Sequence, residues 1–240
     1  LFWFLIIPFG LKLPTKQKTF KNYLKNIRLS AIKPVSRNIL LGVTTFAIFS
    51  VFALYGAVFF GNYVFDPNIL FGIPSILNLG WMIFIIALIP GIWEEVGFRG
   101  VMLPMLLKKY SKKRAIIING LVFGLAHLFN LVSILLFGGF FWQLVFYQVI
   151  YASLMGFALA YMYIKTNSLL PCIIFHYLAD SVGLLFLNVY FFDIFSLSVF
   201  FIVFIGIVPS FLIFITVKFT VNDEPSLENL RSSKLEEKTI

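Results

Sequence analysis

Residues 76–98 read ILNLGWMIFIIALIPGIWEEVGF. The run is long enough to cross a bilayer, which takes about 20 mostly apolar residues. It ends on two adjacent carboxylates, Glu94 and Glu95. Its length fixes the solvent as lipid. Its acidic end carries a cost in lipid that chemistry or ion pairing must offset, since a charge at the bilayer centre costs about 3 kcal/mol on insertion scales.

Similar runs fall at 39–61, 115–137, 140–164, 169–191 and 195–217. The chain is 60% hydrophobic and has 31 Phe, with a mean hydropathy of +0.97. A soluble core of this length cannot hide that excess, since soluble domains are about 45–50% apolar. The expected fold is therefore all-α, a polytopic membrane helix bundle of about six full spans. The short apolar run 1–10 reads as the end of a truncated N-terminal span, followed by a basic surface segment to residue 38. Residues 39–217 form the transmembrane domain, and 218–240 a polar tail whose Glu, Lys and Ser content predicts disorder.

The net charge of +9 could suggest nucleic acid, but its placement argues for topology. Lys12, Lys16, Lys18, Lys21, Lys25, Arg28, Lys33 and Arg37 precede the first full span. Lys108, Lys109, Lys112, Lys113 and Arg114 lie between two others, and Lys165 and Lys218 between or after later ones. The alternate loops, 62–75, 137–139 and 192–194, hold Asp66 and Asp193 and no base. Basic loops mark the cytoplasmic side. The reading is a multi-pass plasma (inner) membrane protein with its basic loops and tail cytoplasmic. Its partners are membrane lipids, with no nucleic acid. Residues 20–37 are expected to form an amphipathic helix on the membrane surface. Cys172, the lone cysteine, reads as a packing residue.

Six ionisable residues lie within the spans: Glu94, Glu95, Arg99, His127, His176 and Asp180. The chain's two histidines are both among them. At 1.5 Å per helical residue, Glu94, His127, His176 and Asp180 fall about 16–22 Å from the basic loops, so three spans present polar groups in one layer. His176 and Asp180 are i and i+4 and face one way; Glu95 and Arg99 share that spacing and can pair. Adjacent Glu94 and Glu95 differ by about 100° around the axis. Glu94 is thus assigned to the site and Glu95 to Arg99. Pro90, Gly91 and Pro104 predict a broken or kinked helix across 76–107. Asn119, Asn130, Gln143 and Gln148 read as contacts between helices.

Glu94-Glu95-Val96-Gly97-Phe98-Arg99 resembles the E-E-x-x-x-R motif of the CAAX-protease and bacteriocin-processing (Abi) family of intramembrane proteases. Phe123-Gly124-Leu125-Ala126-His127 is similar to its F-x-x-x-H motif, and His176-Tyr177-Leu178-Ala179-Asp180 to its H-x-x-x-N/D motif. The three occur in family order over about 80–185. The resemblance implies a membrane endopeptidase whose site opens toward the cytoplasm or inner leaflet. Its substrate would be a lipidated or apolar peptide or protein, cut in peptide processing or bacteriocin self-immunity. Small size and richness in Phe, Ile and Lys point to a bacterial source.

Peptide hydrolysis needs an activated water, a stabilised oxyanion and a proton for the leaving amine. Glu94 suits the general base, His127 the residue that orients the water, and His176 the oxyanion donor. Asp180 must be protonated, orient His176, or bind a metal. Glu94, His127, His176 and Asp180 form a chemically competent zinc set, although H-E-x-x-H is absent. Zinc and a metal-free, glutamate-activated water both remain open. Two alternatives stand beside the protease: a non-catalytic immunity or adaptor protein of the same fold, and a transporter using the buried carboxylates. No inverted repeat of the kind many transporters show is visible.

Overall fold

The computed structural model describes residues 27–75, 78–137 and 142–222. The run 1–10, expected to be the end of a span, most of the basic segment and the tail beyond 222 lie outside the described residues. Helix α1 (Val35–Phe60) is followed by β1 (Asn62–Tyr63) and α2 (Asn68–Phe71). A second span, Gly80–Lys109, holds α3 (Ile83–Ile86), α4 (Leu88–Glu95), a π-helical stretch Val96–Met102 and α5 (Leu103–Lys109). The third span contains α6 (Lys112–Ala126) and α7 (Phe129–Phe137), and the fourth is α8 (Trp142–Thr166). Then come α9 (Leu170–Asp180), a 3-10 turn Val182–Phe186 and β2 (Val189–Tyr190). The last span is α10 (Ile194–Val199), a π stretch Phe200–Ile207 and α11 (Val208–Thr220). The all-α bundle is as expected.

Among the described residues five helical segments are long and apolar enough to cross a membrane. The run 169–191 differs, because its helix stops at Asp180. The segment still reaches the far end. β2 pairs antiparallel with β1, Asn62 opposite Tyr190, and β1 follows the far end of α1. A helix of 11 residues rises about 16 Å, and a five-residue 3-10 turn about 10 Å more. The crossing is made by a short helix and a tightened extension rather than one continuous helix.

The irregular stretches follow from proline. Pro90 lacks the N–H that would bond to Ile86, and the ladder turns at Ala87. Pro104 and Pro209 each stand two residues beyond a π stretch. In the first stretch the Leu103 N–H bonds to Phe98 O, five residues back. Such wide turns cluster at functional sites.

Two further expectations change. Residues 27–34 form a turn and extended chain rather than a surface helix. Pro34 disfavours helical geometry at Lys33, and Arg28 has left-handed backbone at φ 62. Ile27 is buried and its carbonyl packs beside Gly100. Lys165 marks no surface loop either: Lys165, Thr166, Ser168 and Leu169 are all buried. Bonds within this submerged turn meet part of its polar needs. Thr166 Oγ1 donates to Met162 O at 2.8 Å, and the Leu170 N–H donates to Ser168 Oγ at 3.2 Å. Depth counted from Lys165 as though it lay at the surface therefore understates how far His176 lies from the basic end.

Packing is tight toward the basic loops and loose toward the other end. Most of α8 from Ala152 to Thr166 is buried, whereas between Trp142 and Tyr151 only Val145 is. No described residue of α7 is buried. The tight half of the α6–α8 crossing rests on small residues. A Cβ on Gly156 would lie 2.8 Å from Gly120 Cα, and one on Gly124 would lie 2.5 Å from Val149 O. Close approach of this kind replaces the hydrophobic drive that lipid removes.

Gly124→Val should therefore separate α6 from α8. The expected overpacking cost is about 1–3 kcal/mol, read as a lowered thermal midpoint of the detergent-solubilised protein.

Candidate active site

The site is built where α4, the Val96–Met102 stretch, α6 and α9 meet. Gly91 makes the approach possible. A Cβ there would lie 3.2 Å from the Tyr177 backbone, so α4 and α9 run almost in contact. One turn on from Gly91, Glu95 reaches across to His176. The Nδ1–H of His176 donates to Glu95 Oε1 at 2.8 Å. Arg99 Nη1 donates to the same oxygen at 2.9 Å. Glu95 and Arg99 are both fully buried.

Arg99 is enclosed from two more sides. Its guanidinium carbon stands 4.1 Å from the centre of the Phe123 ring, a favourable cation–π placement. Its Nη2 donates to Gly156 O at 3.5 Å. The Phe123 ring also meets both histidines edge-on, with centroids 5.1 Å from His127 and 5.9 Å from His176. Asn119 Nδ2 donates to Phe98 O at 2.7 Å and ties α6 to the π stretch. That is the interhelical contact expected of Asn119. Asn130 and Gln148 also bond across helices, Nδ2 to Oε1 at 2.9 Å.

His127 sits where α6 ends, and its own ring contributes to that end. Its Nδ1–H donates to Phe123 O at 3.0 Å, the carbonyl an unbroken helix would give to the His127 N–H. That N–H bonds instead to Gly124 O at 3.0 Å. A side chain that takes an i−4 carbonyl competes with the helix in this way. A carbonyl can only accept, so the Nδ1 hydrogen is fixed and Nε2 is left as a lone-pair acceptor.

His176 Nε2 faces two carboxylates, Asp180 Oδ2 at 3.4 Å and Glu94 Oε2 at 3.8 Å. A hydrogen on or near Nε2 is required for that approach to attract. Glu94 and Asp180 are the exposed members, with side chains 29% and 39% accessible. Glu94 Oε2 makes no hydrogen bond to the protein. The structure thus brings Glu94, Glu95, Arg99, His176 and Asp180 into one connected cluster, with His127 joined to it through Phe123. Phe123 was legible only as the first letter of a motif, and its position under Arg99 is set by tertiary packing. The Gly120, Gly124 and Gly156 crossing could have been read from its small-residue spacing.

Residues 76–182 match the family model described as type II CAAX prenyl endopeptidase, Rce1-like. The family resemblance is borne out over that stretch. At the level of the family, the match supports an intramembrane endopeptidase of the CAAX type acting on a peptide or protein. No curated protein and no solved structure matches the chain.

The possible zinc set of Glu94, His127, His176 and Asp180 fits this arrangement poorly. Both His176 nitrogens are turned to carboxylates, and His127 Nδ1 is turned to a carbonyl. Among the described residues no group of three or more His, Cys, Asp or Glu is placed to hold a metal ion.

Removing Arg99 would leave Glu95 as a buried carboxylate supported by His176 alone. Arg99→Met should cost about 3–5 kcal/mol, the usual penalty for breaking a buried pair on one side, seen as loss of folded protein on size-exclusion chromatography. Double replacement Glu95→Leu/Arg99→Met should recover much of the stability but none of the His176 placement.

Proposed function

We propose that this chain hydrolyses a peptide bond of an extended apolar or lipid-modified peptide, using a water activated by Glu94. The observation that carries the reading is the division of labour between the adjacent glutamates. Glu95 is fully buried, with its Oε1 taken by Arg99 and His176, whereas the Glu94 side chain is 29% accessible and stands beside His176.

A water held between Glu94 and His127 Nε2 donates one hydrogen to each. As its oxygen attacks the scissile carbonyl carbon, Glu94 takes a proton. The carbonyl π electrons move onto oxygen, and His176 Nε2–H donates to that oxyanion. Collapse breaks the C–N bond, and Glu94 returns its proton to the leaving amine. Asp180 accepts the Nε2–H when no substrate is present, and so holds the ring in its donating orientation. This role resolves the difficulty of a carboxylate beside an oxyanion, because the oxyanion displaces Asp180 from the hydrogen. Glu95 holds the other face of the ring. The substrate must be extended at the cut, since a helix commits its carbonyls to its own hydrogen bonds.

The setting is a multi-pass membrane protein, with its basic loops on the cytoplasmic side of a bacterial plasma membrane by the positive-inside rule. Peptide processing or bacteriocin self-immunity suits a protease in that place.

Glu94→Gln should keep the fold and lower cleavage by at least about 100-fold, the scale of one general base. Mass spectrometry of membrane and secreted peptides from cells expressing each form reads it. New termini seen only with the native chain are expected. Identical peptide sets from two equally folded proteins would favour a non-catalytic immunity or adaptor role. The purified protein should keep its activity in excess chelator, because no step proposed here passes through a metal. Loss of activity that added zinc restores would overturn that part.

A further inference from the structure

At the uncharged end of the bundle two loops are joined into one surface. β1 pairs with β2, Asn62 opposite Tyr190. The Val64 N–H donates to Asn188 O at 3.0 Å, and Asn188 Nδ2 donates to Val64 O at 2.8 Å. Beside them α2 packs on the Val182–Phe186 turn, with Leu70 buried. The other large apolar groups are left outside. Phe65, Phe71, Ile194 and Phe195 are each 65–70% exposed, and Ile73 and Phe192 are 88% and 89% exposed.

The polar groups of the same loops are bonded to one another. Asp66 Oδ1 accepts from the N–H and the Nδ2 of Asn68 at 2.9 and 3.0 Å. Asn78 Nδ2 donates to Asn68 O, and Asn78 Oδ1 accepts from the Gly80 N–H, both at 2.9 Å. Ser75 Oγ accepts from the Asn78 N–H at 3.1 Å. Asp193 accepts from both the N–H and the hydroxyl of Ser196 at 2.8 Å. A loop in water tends to the reverse, with its large apolar groups covered. Internal bonding with apolar groups outward suits a setting where water is scarce.

Helix α1 sets the depth. From Arg37 to Phe60 it rises about 35 Å at 1.5 Å per residue, against about 30 Å of hydrocarbon and about 40–45 Å with both headgroup layers. With Arg37 among the headgroups at the basic end, Phe60 and the loop after it stand among those of the opposite leaflet. Residues 61–80 and 188–199 hold no Lys or Arg, and their charges are Asp66 and Asp193.

We propose that loops 62–75 and 188–195 form a single plate seated in the headgroup layer of the leaflet at the uncharged end, its apolar side chains in the acyl boundary. The partner is the lipid surface itself, uncharged or zwitterionic, since two carboxylates and no base give anionic headgroups nothing to pair with. The plate continues the lipid-facing surface of the spans, and these loops are not offered to water. The proposal stands apart from the endopeptidase reading.

In a Cys172→Ala background, Phe192→Cys and, separately, Ile73→Cys are labelled with a small environment-sensitive fluorophore. Both sites are so exposed that labelling should leave the thermal midpoint at that of the parent. The proteins are placed in phosphatidylcholine nanodiscs, where both faces meet the buffer. A nitroxide on an upper acyl carbon should quench both labels at least about threefold more than aqueous iodide does, because an apolar face seated about 5–10 Å into the boundary lies nearer to acyl carbons than to water. Stronger quenching by iodide overturns the proposal and returns the loops to water. Protection from both quenchers overturns it too, and points to a second copy of the chain covering the plate. Phosphatidylglycerol mixed into the nanodiscs should leave the pattern unchanged; a lipid signal that appears only with it would overturn the choice of uncharged lipid.

Discussion

A single carboxylate oxygen, Glu95 Oε1, accepts from Arg99 at 2.9 Å and from His176 at 2.8 Å. Two donors on one buried acceptor neutralise a charge that lipid would not tolerate alone. They also join elements distant in sequence, since Arg99 lies on the π stretch and His176 on α9. Much of the architecture serves that junction. Gly91 lets α4 and α9 approach. Phe123 covers the guanidinium with its ring, and Gly156 supplies a carbonyl. The chemistry assigned to Glu94 depends on its neighbour having taken the structural role.

The two histidines are set by different means. His127 is fixed locally, by a carbonyl four residues back on its own helix. His176 is fixed by a carboxylate 81 residues away. The first arrangement ends a helix and leaves Nε2 as an acceptor. The second draws two helices together and directs Nε2 toward carboxylates as a donor. One imidazole suits the holding of water, the other the support of developing negative charge. Backbone and ion pair thus divide two roles between chemically identical side chains.

Much of this was legible in the sequence because lipid makes polar residues conspicuous. Six ionisable residues in apolar runs, at i and i+4 spacings, marked the site and the Glu95–Arg99 pair. What the sequence concealed was where the chain leaves the helix. Pro90 and Pro104 signalled irregularity, but not that one would turn the ladder and the other follow a π stretch. Lys165 looked like a loop residue because charge usually marks water, yet the turn that holds it is buried. Depth counting assumes that every loop sits at the surface, so it failed for α9. Residues 20–37 looked amphipathic by composition, and over the described part 27–34 Pro34 together with packing on Gly100 overrode that pattern. The looser packing toward the uncharged end depends on which helices pair, and apolar periodicity carries no such information in a bundle whose outside is also apolar.

The π stretch Val96–Met102 spaces its hydrogen bonds one residue wider than an α-helix does. The second span therefore holds one amino acid more than an uninterrupted helix covering the same rise. That added residue sets the angular phase between the two glutamates and everything downstream of them. Were the chain to lose it, the ladder could close into regular α-helix, and the carboxylates would swing by about 100° relative to α5 and the Lys108–Arg114 loop. The motif's fixed spacing from Glu94 to Arg99 is thus a statement about rotation as well as distance, and insertions or deletions within it are far more disruptive than most substitutions.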